Sequence, residues 1–305
     1  MRTYDLAAAG IDDPQLRASY ERCRALNAAH GKTYYLATLL LPRWKRPYVH
    51  ALYGFARYAD EIVDDLSSTA SIDEKRALLR TFGADFLRDL DRGSSSDPVS
   101  MAVVDTVQRW DIAPEHFVAF LHSMEMDLSV TSYATYDDLC EYTYGSAAVI
   151  GLQMVPILEP LDESAYAAAQ DLGTAFQLAN FIRDVGEDLD RGRVYLPEAD
   201  MAACGVTRAD LEHRVVTPAI RELLAFEIHR VRELETQSLP GIAALAPSSR
   251  PCIEAARILY CGIVDAVEAI DYQVFDQRAT VPLRRRLTVA GSAYLQSKSR
   301  RPVRR

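Results

Sequence analysis

Two segments of this chain repeat polar side chains at intervals of three and four residues, which is the period of an α-helix. The polar positions are Tyr53, Arg57, Asp60 and Asp64 in the first segment, and Gln177, Asn180, Asp184 and Asp188 in the second. Residues at these spacings share one face of a helix. Strand-like alternation is almost absent, and proline and glycine fall between stretches of helical length. The sequence therefore predicts an all-α protein with roughly ten or more helices.

No polar run long enough to separate two domains interrupts most of the chain, so we expect a single helical domain over residues 1–287. The run Ser71-Ile72-Asp73-Glu74 has the capping-box pattern and predicts the start of a helix. Asp97 is a candidate N-cap after the loop at 93–98. Two helices, expected over 142–159 and 170–183, are apolar on nearly every side and should lie inside the bundle.

Charge is distributed unevenly along the chain, whose formal net charge is -9. All 43 acidic residues lie before Gln277, whereas residues 277–305 contain nine Lys and Arg and no acid. The acidic body argues against nucleic-acid binding, and we expect no nucleic-acid partner. Residues 288–305 are expected to form a basic, flexible tail that either stays in solvent or makes weak contact with anionic membrane lipid.

Three further features bear on the compartment. The five cysteines are scattered and form no C-x-x-C pair, which indicates reduced thiols rather than disulfides or a zinc site. The N-terminal residues lack the apolar core of a signal peptide. The longest apolar stretch, Ala147–Leu158, is too short to cross a bilayer. We therefore expect a cytoplasmic protein, with a peripheral position on the inner face of the membrane if the tail binds lipid.

The carboxylates of the two polar faces require either open solvent or a cation. Like charges four residues apart, as at Asp60 and Asp64, destabilise an isolated helix. A solvated acidic face is the ordinary explanation, but amides and carboxylates on an otherwise apolar helix are costly to bury without partners. Two such faces suggest two helices that face each other. Carboxylates combined with substrate phosphates are typical of Mg²⁺, whereas the dispersed histidines and cysteines do not fit zinc.

Two basic segments are candidates for phosphate binding. The run His30-Gly31-Lys32-Thr33 opens a helix, where phosphate oxygens bind readily, although an ordinary helix cap explains it too. Arg191 and Arg193 follow the second polar face and either clamp a diphosphate or balance the acids before them. The sequence has no G-x-x-x-x-G-K-[ST] loop and no G-x-G-x-x-G turn. Any phosphate is therefore expected to bind through metal and side chains.

These motifs resemble those of the squalene and phytoene synthase family. Residues 172–197 are similar to the family's second signature, and Tyr53–Asp64 is similar to its first aspartate motif. The run His30–Leu41 is most like the N-terminal motif of bacterial phytoene synthases. Weaker similarity covers Tyr142–Gly151 and Tyr260–Arg278, so the resemblance spans residues 27–287. Residues 142–148 depart from the family's usual Tyr-Cys-Tyr-Gly-Val-Ala-Gly by small-for-small exchanges, which leave the helix able to pack closely.

The resemblance implies the all-α isoprenoid synthase fold, a helical bundle around a central cavity, with a role for each matching residue. The implied ligands of Mg²⁺, or of Mn²⁺ in its place, are Asp60, Asp64, Asn180, Asp184 and Asp188, and the four aspartates are also implied in catalysis. The residues implied in substrate binding are His30, Lys32, Thr33, Tyr53, Arg57, Gln177, Asn180, Arg183 and Arg278. The residues implied to line the reaction cavity are Tyr53, Tyr144 and Tyr260, of which Tyr144 and Tyr260 would be catalytic.

The activity implied by the resemblance is a prenyl transfer. Two geranylgeranyl diphosphates would condense head to head, through a cyclopropyl diphosphate, to phytoene in carotenoid biosynthesis. No NADPH is expected, and downstream carotenoid enzymes are candidate partners besides the prenyl diphosphates. One alternative is a squalene or dehydrosqualene synthase that uses farnesyl diphosphate, since the site chemistry is shared. The other is a non-catalytic helical binding or assembly protein, against which the intact aspartates count.

Overall fold

The computed structural model describes residues 3–64 and 70–299, and its regular structure in these ranges is helical. The helices of the first half are α1 (Thr3–Ala8), α2 (Pro14–His30), α3 (Lys32–Thr38), α4 (Arg46–Asp64), α5 (Ile72–Arg92), α6 (Ser100–Trp110), α7 (Glu115–Met126) and α8 (Tyr136–Thr143). A π-helical segment, Tyr144–Ala148, follows α8. The remaining helices are α9 (Val149–Leu158), α10 (Ser164–Asp190), α11 (Glu198–Ala203), α12 (Arg208–Glu212), α13 (Pro218–Ala243), α14 (Arg250–Tyr260), α15 (Gly262–Ala269) and α16 (Leu283–Ser299).

The predicted all-α class is confirmed. Between the residues that the structure describes, the one contact of β type is an isolated antiparallel bridge that joins Pro160 to Leu245. None of the helices in the described ranges combines the length and the apolar character that crossing a bilayer requires.

The predicted helix starts are confirmed by their hydrogen bonds. At the start of α5, the Glu74 amide donates to the Ser71 hydroxyl at 3.3 Å, and the Glu74 carboxylate accepts from the Ser71 amide at 2.7 Å. Before α6, Asp97 Oδ1 accepts from the backbone amides of Val99 and Ser100 at 2.9 and 2.7 Å. These side chains satisfy amides that a helix leaves without internal partners.

The first polar face lies on α4, and its direction is fixed by an aromatic anchor on the opposite side. Phe55 is 1% exposed. Its ring lies 4.4 Å from that of Phe86 and 5.2 Å from that of Phe117, measured between centroids. Because Phe55 points into the core, Arg57 and Asp60 lie on the other side of the helix. The second polar face lies on α10, a continuous helix of 27 residues.

The apolar helix expected over 142–159 is divided by the π-helical segment. A Cβ added to Gly145 in this segment would overlap the carbonyl oxygen of Ala119 in α7. The glycine therefore serves close packing of two helices, and the wider π turn places it at the contact.

Helix α16 runs through the expected boundary between the domain and the basic tail. Val289 and Ala293 are buried with Ala255 of α14 in a small apolar cluster. The residues from 288 to 299 are therefore helical rather than an extension of a flexible tail, and two apolar side chains one turn apart, Val289 and Ala293, pack against α14. The last tail residues, 300–305, lie outside the described residues.

Two large apolar clusters form the core. One contains side chains from α2, α4, α5, α6, α7 and α9, and the other contains side chains from α8, α10, α13 and α15. Phe176, Ile253 and Tyr260 pack against both. The site described next lies where these two clusters meet.

Candidate active site

An apolar cavity lies between the two core clusters. Its walls come from α3, α9, α10, α13 and α14, and it encloses about 1040 Å³, including the part open to solvent. Phe176 of α10 stacks on Tyr260 of α14 with their ring centroids 4.7 Å apart. The wall hydroxyls of Thr38 and Ser238 donate to carbonyl oxygens of their own helices at 2.9 and 2.7 Å. The cavity therefore presents aliphatic and aromatic surface to whatever it holds.

The polar face of α4 forms the first charged cluster. Arg57 donates to Asp60 at 2.6 Å and to Glu61 at 3.1 Å, and His30 Nε2 lies 3.8 Å from Glu61. These side chains are between 29% and 42% exposed. Glu61 thus joins His30 to Arg57 and Asp60 in one charged cluster. The side chain of Asp64, at the end of the same helix, lies outside the described ones.

The polar face of α10 forms the second charged cluster. The Arg183 guanidinium is bidentate on Asp184, with its Nε donating at 2.7 Å. Arg278, from the segment between α15 and α16, donates to Asp184 at 3.1 Å and to Glu187 at 2.6 Å. Two cations that the sequence implied in substrate binding therefore meet at one predicted metal ligand. Gln177 and Asn180 lie half-buried on the same helix, between Phe176 and Asp184.

Tyr260 connects the two charged clusters at the mouth of the cavity. Burial, followed by the nearby Tyr53, raises the pKa of Tyr260 to about 12 against the opposing effect of the Arg183 guanidinium. Tyr53 also lies against Tyr34, another wall residue, with ring centroids 5.5 Å apart. Residues of the first and second motifs, Tyr53 and Arg183, therefore both act on the electrostatics of this wall tyrosine.

Asp188 is half-buried one turn after Asp184 on α10. Burial, followed by the charge of Asp184, raises the pKa of Asp188 to about 7. Asp188 also lines a small pocket of about 190 Å³ with Arg193 and Tyr195. The chain reverses after α10 at Gly192, whose φ is +74°, and so folds Arg193 back onto the helix. A glycine suits this left-handed conformation.

Other residues implied by the sequence are placed apart from the cavity wall. Tyr144 is 44% exposed and is not among the side chains that line the cavity, because the π-helical segment turns it to the surface. Thr33 is half-buried in the first turn of α3. The side chain of Lys32 lies outside the described ones.

The donor set suits a divalent cation, although it is not preassembled. Among the side chains that the structure describes, no three histidines, cysteines or carboxylates converge tightly enough to form a metal site. Asp184 and Asp188 are nonetheless carboxylates one helical turn apart, and burial, followed by the charge of Asp184, raises the pKa of Asp188, so a cation beside them would be favoured. Oxygen donors on two opposed helices, completed by phosphate oxygens, fit Mg²⁺ better than softer metals.

Sequence reasoning missed an aromatic support beneath the second motif. The Asp127 carboxylate accepts from the hydroxyls of Tyr142 and Tyr195 at 2.9 and 3.1 Å. The ring of Tyr195 lies flat on Phe181, with centroids 4.0 Å apart. Phe176 was also missed, although its place one turn before Asn180 put it on the polar face and was a usable signal. The pairing with Asp127 joins distant parts of the chain, and no local spacing indicates it.

The sequence is similar to that of a known protein family over most of its length. The sequence model of the squalene/phytoene synthase family matches residues 27–285. A phytoene synthase of Arthrospira platensis is 37% identical over 297 residues, covering 92% of this chain and 94% of the relative. A 15-cis-phytoene synthase of Synechococcus elongatus is 34% identical over 301 residues, with the same two coverages of 92% and 94%.

Solved structures show the same architecture. A dehydrosqualene synthase in complex with a ligand superposes with a TM-score of 0.84 at 26% identity, covering 93% of this chain and 98% of that one. The squalene synthase HpnC from Alicyclobacillus acidocaldarius gives 0.79 at 26% identity, covering 87% and 98%. The predicted isoprenoid synthase fold is confirmed. The chain belongs to the squalene/phytoene synthase family.

Proposed function

We propose that this protein is a prenyltransferase that joins two geranylgeranyl diphosphates head to head into phytoene, in carotenoid biosynthesis. The observation that carries this proposal is an apolar cavity whose wall continues along α10 towards the Asp184 cluster and whose wall residue Tyr34 packs against Tyr53, one turn before Arg57 on α4. One end of such a substrate is a polyanion and the other a long hydrocarbon, and the site has a surface for each. The two relatives named phytoene synthase support the twenty-carbon substrate.

The chemistry needs no protein nucleophile. The C1–O bond of one substrate breaks and its electron pair leaves with the diphosphate. The double bond of the second substrate supplies the electrons of the new carbon–carbon bond, and loss of a proton closes a cyclopropane ring. A second ionisation releases the other diphosphate, the ring rearranges, and loss of a second proton gives phytoene. No hydride is needed, so we propose no role for NADPH.

Mg²⁺, or Mn²⁺ in its place, would be held by Asp60, Asp64, Asn180, Asp184 and Asp188, where it would stabilise negative charge on the departing diphosphate. Arg57, Arg183 and Arg278 would bind diphosphate oxygens in the forked geometry that suits guanidinium, together with His30 and Lys32.

The cavity wall protects the cationic intermediates. Among the described side chains that line it there is no carboxylate, imidazole or amine that would capture a cation. The faces of Phe176, Tyr260 and Tyr34 would stabilise positive charge by about 0.5–2 kcal/mol each. The apolar wall would also exclude water, which would otherwise quench the cation to an alcohol.

The deciding experiment incubates the purified protein with farnesyl or geranylgeranyl diphosphate, with and without NADPH, and identifies the hydrocarbon by mass spectrometry. We expect a forty-carbon product that requires a divalent cation and not NADPH. A thirty-carbon product, favoured by the similarity to the dehydrosqualene synthase structure, would assign the farnesyl alternative. Absence of any hydrocarbon would favour a non-catalytic binding protein.

We also propose a peripheral position on an anionic membrane surface, through α16. Leu283, Leu287 and Leu295 are 67%, 64% and 69% exposed, and the helical period places Leu287 and Leu295 on the side of α16 opposite the buried Val289 and Ala293. An outward apolar stripe on a helix whose own sequence carries Lys and Arg without acids suits a lipid interface. A hydrocarbon product insoluble in water would pass from such a position into the bilayer and to downstream carotenoid enzymes.

A further inference from the structure

The polar face of α10 and the α10 wall of the cavity are one continuous stripe. The lining residues of this helix are Ala165, Ala168, Ala169, Leu172, Gly173 and Phe176. They recur at intervals of three and four residues, and the same interval continues through Asn180 to Asp184. Because α10 is a single helix, distance from the charged cluster along the cavity can be read from residue number.

The rise of an α-helix sets that scale. At about 1.5 Å per residue, Phe176 lies about 12 Å from Asp184 along the axis, Leu172 about 18 Å, Ala169 about 22 Å and Ala165 about 28 Å. One isoprene unit is about as long as one helical turn, roughly 5 Å. With the diphosphate held at Asp184, the third isoprene unit of a prenyl chain ends near Leu172, and the fourth reaches the level of Ala169.

Neighbouring helices pack closely against α10 at this level. A Cβ added to Gly151 of α9 would overlap the carbonyl oxygen of Ala169, and one added to Gly241 of α13 would overlap the methyl group of Ala168. The helices therefore touch on both sides of Ala169, and a larger side chain there cannot turn outward between them. It would fill the cavity instead.

The wall beyond this level is held in place by a buried cation. Lys45 is fully buried, and its Nζ lies 2.5 Å from a carboxylate oxygen of Glu159 and 2.9 Å from the Ser249 hydroxyl. Glu159 directly follows wall residue Leu158, and Ser249 lies four residues after wall residue Leu245. The backbone amide of Ala246 also donates to the Glu159 carbonyl at 2.9 Å. The loops at the deep end are thus tied together, which limits how far the wall can yield to a longer chain.

From this geometry we propose that Ala169 sets the length of prenyl chain that the site accepts, because its methyl group leaves room for the fourth isoprene unit. The proposal rests on the proposed function, since it takes the charged clusters as the diphosphate site. Substituting Ala169 by a larger aliphatic residue removes the space for the fourth unit and leaves that for the first three.

The test compares Ala169→Leu and the milder Ala169→Val with Ala167→Leu. Ala167 is exposed on the outer side of the same helix, so its variant adds the same side chain to α10 without entering the cavity. Binding of the non-ionising thiolo-diphosphate analogues of farnesyl and geranylgeranyl diphosphate is measured by calorimetry in the presence of Mg²⁺, so that turnover is not needed.

Ala169→Leu is expected to weaken binding of the twenty-carbon analogue at least tenfold and that of the fifteen-carbon analogue less than threefold. Ala169→Val should weaken binding of the twenty-carbon analogue by less than Ala169→Leu does. Ala167→Leu should bind both analogues as the unmodified protein does. An unchanged ratio of the two affinities in Ala169→Leu would overturn the proposal, as would an equal loss of both in a variant whose circular dichroism is unaltered. If Ala169→Leu does not fold, the ratio in Ala169→Val decides. Failure of the unmodified protein to bind either analogue would instead count against the proposed function.

Discussion

Asp60 and Asp184 occupy equivalent places in the two charged clusters, each with arginine as its partner. Asp60 is 41% exposed and pairs with Arg57, whereas Asp184 is 16% exposed and is held by Arg183 and Arg278. Under the proposed function both must release part of this pairing to bind a cation and diphosphate. These Arg–Asp ion pairs therefore contribute differently to the stability of the fold and to activity.

We predict that Asp60→Asn and Asp184→Asn each lower turnover at least about a hundredfold, since each removes a carboxylate that would hold the divalent cation against the departing diphosphate. Asp60→Asn should change the free energy of unfolding by no more than about 0.5 kcal/mol because its ion pair is exposed. Asp184→Asn should cost about 1–3 kcal/mol, since it leaves a half-buried guanidinium without a charged partner. Rates are measured by product formation, and stability by denaturant unfolding.

Asp85→Asn is the matched control for the first cluster. Asp85 pairs with Arg88 at the same separation of three residues as Asp60 with Arg57, though in the opposite order along the chain, and it lies on the exposed surface of α5. It should retain full activity. Substantial turnover in either cluster variant would remove that aspartate from the metal-binding set.

His50 is a buried histidine that should make the stability of the fold depend on pH. It is 3% exposed, and its Nδ1 accepts from the Asn27 side-chain amide at 2.9 Å. Burial, helped by the charges of Arg24 and Arg46, lowers the pKa of His50 from 6.5 to about 3. The folded state therefore binds fewer protons than the unfolded chain between these values, and stability is lost as the pH falls from about 6.5 to about 3.

The expected contribution of His50 to that loss is up to about 1.4 kcal/mol per pH unit. Chemical unfolding at a series of pH values would show a shallower fall in His50→Gln than in the unmodified protein. His122→Gln, at a site 62% exposed, should keep the original slope. Parallel pH profiles in all three proteins would contradict a buried, neutral His50.

Single residues were predictable where their spacing carried the signal. The carboxylates of α4 and α10 repeat at helical intervals, and such a pattern is rarely left unpaired. The position of Asp188 beside Arg193 was not predictable, because it depends on the chain reversal at Gly192 after the helix ends. The exposure of Tyr144 was not predictable either, because it results from a π-helical turn that the local sequence does not indicate.

At the scale of helices, α16 is the element that the sequence described least well. Its many arginines suggested a flexible tail, yet the interval between Val289 and Ala293 allows one narrow face to pack on α14. Arg285 adds an ion pair of 2.8 Å to Asp265 of α15. Charge composition gives the average character of a segment, whereas packing depends on two or three positions of one face. The helix is held on one side and presents leucines on the other.

We predict that the double variant Leu287→Gln, Leu295→Gln reduces sedimentation with phosphatidylglycerol vesicles several-fold. Each leucine loses its favourable transfer into the interface, and the basic residues alone contribute only about 1 kcal/mol each. Binding of the unmodified protein should fall with added salt and be weaker on phosphatidylcholine vesicles.

Leu78→Gln serves as the control for that experiment, because Leu78 is 57% exposed on α5, away from α16. Equal binding by the double variant, or binding indifferent to salt and lipid charge, would show that α16 is not the contact surface. Hydrodynamic size in the absence of vesicles would then report whether the leucines join two copies of the chain instead.

At the scale of the whole molecule, the cavity is where two separate cores are joined. Phe176, Ile253 and Tyr260 contact both apolar clusters, and the charged clusters at the mouth come from α4 on one side and α10 on the other. The sequence indicated two opposed helices. It did not indicate that the core divides into two apolar clusters around them, because contacts between distant segments determine that division. A ligand that bridges the charged clusters would therefore stabilise both halves together.

We predict that Mg²⁺ and a non-ionising geranylgeranyl diphosphate analogue raise the melting temperature more together than the sum of their separate effects. A ligand at a hundredfold excess over its Kd stabilises the folded state by about 2.7 kcal/mol, or roughly 3–6 °C for a chain of this size. Mg²⁺ alone should have little effect, because in the described side chains the carboxylates do not converge without a bridging phosphate. The analogue alone should bind weakly, since its charge meets carboxylates on both helices.

Removing the metal with EDTA should reverse the rise in melting temperature. In Asp184→Asn the combined effect of metal and analogue should equal the sum of their separate effects, whereas in Asp85→Asn it should still exceed that sum. A shift of the same size with and without metal would mean that the arginines suffice to hold the diphosphate and that the two charged clusters act independently.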